Sequence, residues 1–136
     1  KKEFTKFILP LTKYNEQYFL AKQWDEKYSA LHYYIISDGF LVIGRFDVGG
    51  DLESMGVTYH IIDEFQNRGI GQMVLGVVVN DIFSHNVGRI IILPINERSA
   101  SIALKTGFTP RTERIYELKL LDYQKQQSSD NGKRTY

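Results

Sequence analysis

The sequence predicts an α/β protein in which a mixed β-sheet is flanked by helices on both faces. The first observation is the stretch from Tyr59 to Gly71, where a β-like run passes through a glycine-spaced turn into a long apolar helix. The second is the β-branched run from Arg89 to Ile95, which shows no polar alternation, as expected for a strand buried on both faces. Together they predict a βαβ unit with a right-handed crossover.

The first half of the chain predicts one strand, one helix and a hairpin. Phe4 to Leu11 is an apolar run that ends near Pro10, as a first strand would. Tyr14 to His32 carries apolar residues at steps of three and four, which predicts an amphipathic helix, in one piece or two. Tyr33 to Ile36 and Phe40 to Phe46 flank an Asp-Gly turn, so we expect two antiparallel strands there.

The next segment leads through a turn at Gly49-Gly50-Asp51 into an alternating strand that starts at Met55. The helix from Ile70 to Phe83 is so apolar that it must be covered on more than one side. Pro94 removes a backbone donor from the strand that follows this helix. The sheet should therefore open near Pro94 and leave a slot beside the glycine-spaced loop.

The rest of the chain predicts one more helix, the last strands and a tail. Asn96 is a suitable cap for a helix from Ser99 to Thr106, which should end at Gly107. Phe108 to Leu120 supplies one or two strands. Residues 122–136 show no apolar periodicity, so we expect a frayed or disordered tail, or a segment that docks on a partner chain. The folded domain is accordingly predicted to span residues 1–121.

Composition limits the classes of function. A chain of 136 residues fits one domain with a single core. With 43% hydrophobic residues, 24% charged residues and a net charge of +1, nothing points to a nucleic acid or a membrane as partner. The chain has no cysteine, which excludes disulfides and a cysteine nucleophile. Its three histidines lack the spacing of metal ligands, so we expect no metal.

The loop Gln66-Asn67-Arg68-Gly69-Ile70-Gly71 places two glycines and a cation at the start of a helix. Unpaired backbone N–H groups and the helix dipole favour an anion at such a position. The spacing is that of neither a P-loop nor a dinucleotide-binding fingerprint. A plain structural turn can carry the same two glycines, so the loop by itself leaves both interpretations open.

Two motifs resemble those of the GNAT superfamily of N-acetyltransferases. Gln-x-x-Gly-x-Gly is similar to the segment that binds the pyrophosphate of acetyl-CoA, and Asn96 to Phe108 is similar to Asn-x-x-Ser/Ala-(x)5-Lys-x-Gly-Phe. Their order and separation also agree, and the branch they resemble acts on ribosomal proteins and small amines. Two positions depart from the pattern. Ile62-Asp63 stands where Asp-Pro is common, and Ala103 stands where other branches carry a tyrosine as general acid.

The resemblance implies the GNAT fold and an acetyl-CoA-dependent N-acetyltransferase that moves an acetyl group directly to a primary amine. It also implies that acetyl-CoA lies in the split of the sheet, with its pyrophosphate on the loop and its pantetheine arm along the strand. The implied CoA-binding residues are Ile61, Ile62, Gln66, Asn67, Arg68, Gly69, Ile70, Gly71, Gln72, Asn96 and Ser99.

Several groups are candidates for the chemistry of acetyl transfer. The backbone N–H of Ile61 or Ile62 is expected to polarise the acetyl carbonyl. Glu53, His60 and Asp63 are candidate bases that would keep the amine neutral, with Glu53 and His60 preferred and a water relay as an alternative.

Ser99 has two interpretations, because its hydroxyl is suited to stabilise the departing thiolate and equally to cap a helix. The acceptor is not specified, and a protein N-terminus, a polyamine, an antibiotic and an amino acid all fit. Residues expected to line the acceptor site are Trp24, Tyr28, Tyr33, Tyr34, Arg111 and Arg114.

Two other classes compete with an active transferase. A catalytically silent domain that binds acetyl-CoA would carry the same motifs, and the absent tyrosine makes it possible. An RNA-binding module is disfavoured by the near-neutral charge. A homodimer is a further option. We expect a cytoplasmic location, because acetyl-CoA is an intracellular metabolite and no apolar run reaches the roughly 18 residues of a membrane span. The chain starts at Lys1 without a methionine, as a trimmed chain would.

Overall fold

A computed structural model describes residues 4–8, 16–38 and 41–133, with residues 4–8 and 130–133 described by their backbone alone. Its strands are β1 Phe4–Ile8, β2 Tyr18–Asp25, β3 Ala30–Ser37, β4 Val42–Gly50, β5 Met55–Ile61, β6 Arg89–Ile92, β7 Thr109–Pro110 and β8 Tyr116–Lys119. Its helices are α1 Ile70–Phe83, α2 Glu97–Lys105 and α3 Leu120–Lys133, with a short 3₁₀ helix at Asp63–Phe65.

The eight strands form one mixed sheet in the order β1-β2-β3-β4-β5-β6-β8-β7. β5 and β6 are parallel and are joined through α1, whereas the other neighbouring pairs are antiparallel. This confirms the predicted mixed sheet and the βαβ unit at its centre. The loop before α1 therefore follows β5, which pairs in parallel with β6 on one side and antiparallel with β4 on the other.

The helices cover the apolar face of the sheet. The hydroxyl of Tyr33 on β3 donates to Asp81 of α1, and the hydroxyl of Tyr59 on β5 donates to a backbone carbonyl of α2. α3 packs on α1 in turn, with the rings of Phe83 and Tyr123 4.9 Å apart. The largest fully buried side chains include Tyr18, Tyr33, Phe46, Leu20, Ile35, Ile43, Ile70, Leu75, Ile90, Ile92, Leu118 and Val57.

The opposite face of the sheet carries polar pairs. The ring of His32 lies 2.6 Å from a carboxylate oxygen of Asp47, and Arg89 donates to Glu117 at 3.1 Å. These polar pairs therefore lie on the face of the sheet opposite Tyr33 and Tyr59, which contact α1 and α2.

The predicted helix from Tyr14 to His32 is wrong, because β2 and the start of β3 occupy its described part. Tyr18 and Leu20 alternate into the core with the period of a strand, and β2 pairs with β1 and β3 along its length. Trp24 and Tyr28, which a helical stripe would bury, are 55% and 69% exposed. Tyr14 lies outside the described residues.

Residues 122–133 are not frayed, because α3 continues directly from β8 to Lys133. Residues 134–136 lie outside the described residues, and docking of this segment on a partner chain stays a prediction. The side chain of Tyr123 holds α3 against α1, since its hydroxyl donates to Asn80 at 2.8 Å. Smaller differences affect three boundaries. β4 runs through Gly50, so the turn begins at Asp51; β6 ends at Ile92; and α2 begins at Glu97.

Candidate functional site

The sheet splits beside the loop, as predicted from Pro94. The ladder between β5 and β6 ends at the pair Val57 and Ile92. Beyond this pair the two strand segments diverge, because Pro94 has no N–H with which to continue the pairing. The split lies immediately before the start of α2. The end of β5, the loop before α1 and the first turn of α2 therefore meet at its mouth.

The antiparallel ladder with β4 determines which backbone groups of β5 face the split. The N–H of Ile62 donates to the carbonyl of Ile43 at 2.9 Å, on the side of β4. Because such groups alternate along an antiparallel strand, the N–H groups of Tyr59 and Ile61 point to the other side, into the split. Of the two predicted donors, Ile61 therefore faces the slot, and Ile62 is excluded because β4 already uses its N–H.

The loop leads to a helix start without a side-chain cap. Gly69 takes the N-cap position of α1 with φ 79° and ψ 4°, a left-handed conformation that favours glycine, and Asn67 has φ 62°. The first helical bond runs from Met73 N–H to the carbonyl of Gly69 at 3.1 Å. The N–H groups of Ile70, Gly71 and Gln72 thus precede any helical carbonyl that could accept them. No acidic residue lies in this first turn, so nothing there opposes an anion.

The side chain of Gln66 braces the loop. Its amide nitrogen donates to the carbonyl of Ile61 at 2.7 Å and to the carboxylate of Asp63 at 3.1 Å. Both bonds tie the loop to the end of β5. Gln66 therefore shapes the site through its amide group, while Asp63 remains an exposed carboxylate at its edge.

The side chain of Arg68 contacts an acidic residue and an aromatic ring. Its guanidinium donates to the carboxylate of Glu16 and lies 5.0 Å from the centre of the Phe65 ring. Glu16 also accepts from the hydroxyl of Tyr18. The resemblance implies that Arg68 binds the phosphates of CoA, and this stays a prediction; in the structure its guanidinium is paired with Glu16.

A cleft of about 670 Å³ opens between the loop, the end of β5 and the first turns of α2. Most of the predicted site residues line it, while Ile62, Arg68 and Glu53 do not. The predicted residues in its wall are His60, Ile61, Gln66, Asn67, Gly69, Ile70, Gly71, Gln72, Asn96 and Ser99.

Glu53, one of the two preferred candidate bases, does not line this cleft, and its role as a base stays a prediction. It lies in the turn before β5, where its N–H donates to Asp51 at 2.9 Å. The first four residues of β5 lie between this turn and Tyr59, the first residue of the strand that lines the cleft, a span of about 13 Å at the usual rise of about 3.3 Å per residue. His60, by contrast, is exposed and lines the cleft.

Ser99 and Asn96 form a capping box at the start of α2. The N–H of Ser99 donates to the side chain of Asn96 at 2.8 Å, and the Ser99 hydroxyl accepts the N–H groups of Ile95 and Asn96. The hydroxyl also donates to the carbonyl of Asn96 at 3.1 Å. Ser99 is only 8% exposed, so of its two predicted roles this geometry fits the cap.

Close packing joins α1 to α2 below the cleft. A Cβ atom at Gly71 would lie 2.9 Å from the Cδ1 of Ile102 on α2, so the end of that side chain would have to shift. Ala103, on the next turn of α2, is fully buried. The small residues at both positions thus allow the two helices to approach each other.

Tyr59 is a cleft residue that the sequence patterns did not single out for a role. Its hydroxyl donates to the carbonyl of Ser99 at 2.9 Å, and its ring stacks on Phe46 at 4.6 Å. Burial raises the pKa of its phenol to about 12. Strand alternation places it on the inner face, but the partner lies 40 residues away and could not be read from the sequence.

Two findings bear on metals and membranes. Across residues 4–8, 16–38 and 41–133, no group of three or more histidine, cysteine or acidic residues is arranged to hold a metal ion. No helix in that same part of the chain has the length and apolarity needed to cross a membrane.

Comparisons with known proteins give a match in structure alone. No family model matches the sequence, and no curated protein matches it. The ribosomal-protein-S5-alanine acetyltransferase of Vibrio fischeri superposes with a TM-score of 0.64 at 20% identity, over 69% of this chain and 63% of that one. A GNAT-family acetyltransferase of Bacillus anthracis gives 0.61 at 14% identity, over 66% of each chain.

A third structure was solved with ligands. The spermidine N-acetyltransferase of Vibrio cholerae, in complex with CoA and spermine, gives a TM-score of 0.64 at 12% identity, over 73% of this chain and 70% of that one. The chain thus spans about two thirds of the length of these proteins. The resemblance in the two sequence motifs and the similarity of the folds agree: the chain has the fold of the GNAT acetyltransferases.

Proposed function

We propose that the chain is an N-acetyltransferase that moves an acetyl group from acetyl-CoA to a primary amine. One observation carries the proposal. The uncapped start of α1 and the unpaired edge of β5 open into the same cleft, so an anion site and a peptide-like edge adjoin. A ligand with phosphates at one end and amides along its length fits both.

The described residues fit CoA in three respects. The N–H groups of Ile70, Gly71 and Gln72 are suited to a diphosphate, and a Cβ atom at Gly69 would meet no atom within 4 Å, so the backbone is open to close approach. The edge of β5 offers its N–H groups to the amides of a pantetheine arm, as in strand addition. The cleft volume of about 670 Å³ lies in the usual range for cofactor sites.

When bound, acetyl-CoA supplies the acetyl group as a thioester. Ile61 would direct its N–H at a carbonyl oxygen in the split, where a preorganised donor stabilises developing negative charge. His60 and Asp63 are the remaining candidate bases for an amine that approaches the mouth of the cleft, and both are exposed enough to act through water. Asn96 would meet the arm with its amide nitrogen, since its oxygen accepts from Ser99.

The acceptor is proposed at the level of a primary amine. The similar structures include proteins named for ribosomal-protein alanine and for spermidine, both of which present amines. A cytoplasmic location and self-association stay predictions.

Two measurements test the proposed function. Saturation with CoA at 100 times its dissociation constant should raise the free energy of unfolding by about 2.7 kcal/mol, which calorimetry or thermal unfolding would detect. Release of free CoA thiol from acetyl-CoA should then be followed with peptides, polyamines, aminoglycosides and amino acids as acceptors. The absence of any CoA-dependent stabilisation would refute the proposal.

A silent acetyl-CoA-binding domain is a second candidate, favoured by one observation. The Ser99 hydroxyl is engaged in the helix cap, and Ala103 is buried where related proteins carry a tyrosine. Neither position therefore offers a free donor to a departing thiolate. CoA binding without thiol release for any amine of the panel would support this alternative.

A further inference from the structure

Tyr59 bridges the two walls of the cleft. It belongs to β5, and its hydroxyl donates at 2.9 Å to the carbonyl of Ser99 in the first turn of α2. The ring is fixed from behind, because it stacks on Phe46 with an angle of 9° between the planes. The Tyr59 hydroxyl therefore has a defined position relative to β4, β5 and α2.

The hydrogen bond from Tyr59 to Ser99 lies beyond the point where the backbone pairing between β5 and β6 ends. The last described pair of β5 and β6 is Val57 with Ile92, two residues before Tyr59. Ser99, which receives the bridge, also accepts the N–H of Ile95 at 3.0 Å and holds Asn96 in the capping box. A bond to Ser99 is therefore a bond to the whole turn that forms the second wall.

The chemistry of the phenol separates two roles for Tyr59. A general acid would pass its proton to a departing thiolate, but an ordinary thiol has a pKa of about 8.5. Burial raises the pKa of Tyr59 to about 12, so this transfer would run strongly uphill. The phenol stays neutral and keeps donating its hydrogen bond across the working pH range.

We propose that Tyr59 is a positioning residue that sets the spacing of the cleft walls through Ser99 and so orients Asn96 toward the pantetheine arm of CoA. This inference rests on the proposed function. Because the effect passes through the turn at Asn96, it should appear in the affinity for CoA and should depend on the side chain of Asn96.

The test compares Tyr59→Phe with Tyr123→Phe in the full chain. Tyr123 is a matched control, because its hydroxyl also makes a helix contact, to Asn80 at 2.8 Å, but lies away from the cleft. Titration calorimetry with CoA should give a loss of affinity of about three- to tenfold for Tyr59→Phe, as for the loss of one hydrogen bond, and less than twofold for Tyr123→Phe.

A double-mutant cycle excludes a merely structural role. In an Asn96→Ala background, Tyr59→Phe should cost less than twofold in affinity, because the group it positions is gone. Additive losses, or unchanged CoA affinity in Tyr59→Phe, would overturn the positioning role while leaving the proposed function intact. Failure of the unsubstituted protein to bind CoA would overturn both.

Discussion

The carboxylate of Glu16 binds the guanidinium of Arg68, which comes 52 residues later in the chain. This pair engages the one cation of the glycine loop. Any anion that entered the cleft would compete with Glu16 for Arg68. The competition can be measured by removing the charge of Glu16 alone.

Glu16→Gln should raise the affinity for CoA, because it weakens the hold on Arg68 while keeping a polar side chain. An ion pair that stays about one third exposed, as this one does, contributes about 1 kcal/mol or less, so we expect a gain of up to about fivefold in titration calorimetry. Glu64→Gln is the matched control, since it removes the same charge from an exposed residue of the 3₁₀ helix. Equal gains in both variants would show that net charge alone is responsible.

Gly69→Val should abolish CoA binding and destabilise the fold. The left-handed backbone at Gly69 costs an L-residue about 1–2 kcal/mol, and the new side chain would fill the open space over the N–H groups of α1. Gly76→Ala, in the interior of the same helix and without close neighbours, should instead stabilise by about 0.5–1 kcal/mol and leave binding unchanged. Denaturant unfolding and calorimetry report the two effects separately. Wild-type affinity in Gly69→Val would contradict the assignment of the loop.

Ser99→Ala should lower stability with little effect on turnover, because the hydroxyl belongs to the capping box. Loss of a cap costs about 1 kcal/mol, which corresponds to a fall in Tm of about 3–5 °C for a domain of this size. Ser101→Ala is the control, since Ser101 lines the same cleft on the same helix. A large fall in kcat at unchanged Tm would restore the catalytic role that the sequence suggested for Ser99.

Tyr123→Ala should destabilise the protein by about 2 kcal/mol, from the lost ring contact with Phe83 and the lost hydrogen bond to Asn80. Leu121→Ala removes a side chain that is 70% exposed and should have little effect. Chemical denaturation of both variants measures the difference. Equal stability of the two would mean that α3 contributes nothing to the fold.

The free energy of unfolding should fall at alkaline pH, between about pH 10 and about pH 12. Burial raises the pKa of Tyr18 and of Tyr59 to about 12, and for Tyr18 the hydrogen bond from its hydroxyl to Glu16 adds to the shift. A raised pKa of an acid stabilises the fold below the unfolded value of about 10, and this stability is lost as the pH rises toward 12. Thermal unfolding from pH 8 to 12 should show the decline, with a smaller decline in Tyr59→Phe. Tyrosine absorbance that titrates fully near pH 10 in the folded protein would contradict this.

The centre of the chain could be predicted from its sequence because the signals there are local. The alternation of β5, the loop at Gly69, the apolar helix α1 and the cap at Asn96 each involve neighbouring residues, and each was confirmed. The two ends could not be predicted in this way. Tyr18 and Ala21 fit a helical spacing while Tyr18 and Leu20 fit a strand, and pairing with β1 and β3 decides between the two.

The same limit applies to the site. The loop and its glycines can be read from spacing, but the direction of a side chain depends on its partner. Arg68 meets Glu16 across 52 residues and Tyr59 meets Ser99 across 40, so neither contact leaves a local pattern. The exclusion of Ile62 follows from the register of β4, which is also non-local.

The early end of the ladder between β5 and β6 has a consequence for how such a protein can diverge. Recognition through the exposed edge of β5 and the first turn of α1 uses peptide N–H groups, which every residue except proline possesses. Selection on such a site acts on backbone path and on a few small residues, and leaves most side chains free to drift. Proteins at 12–20% identity can then share a fold with this chain although no family model matches its sequence.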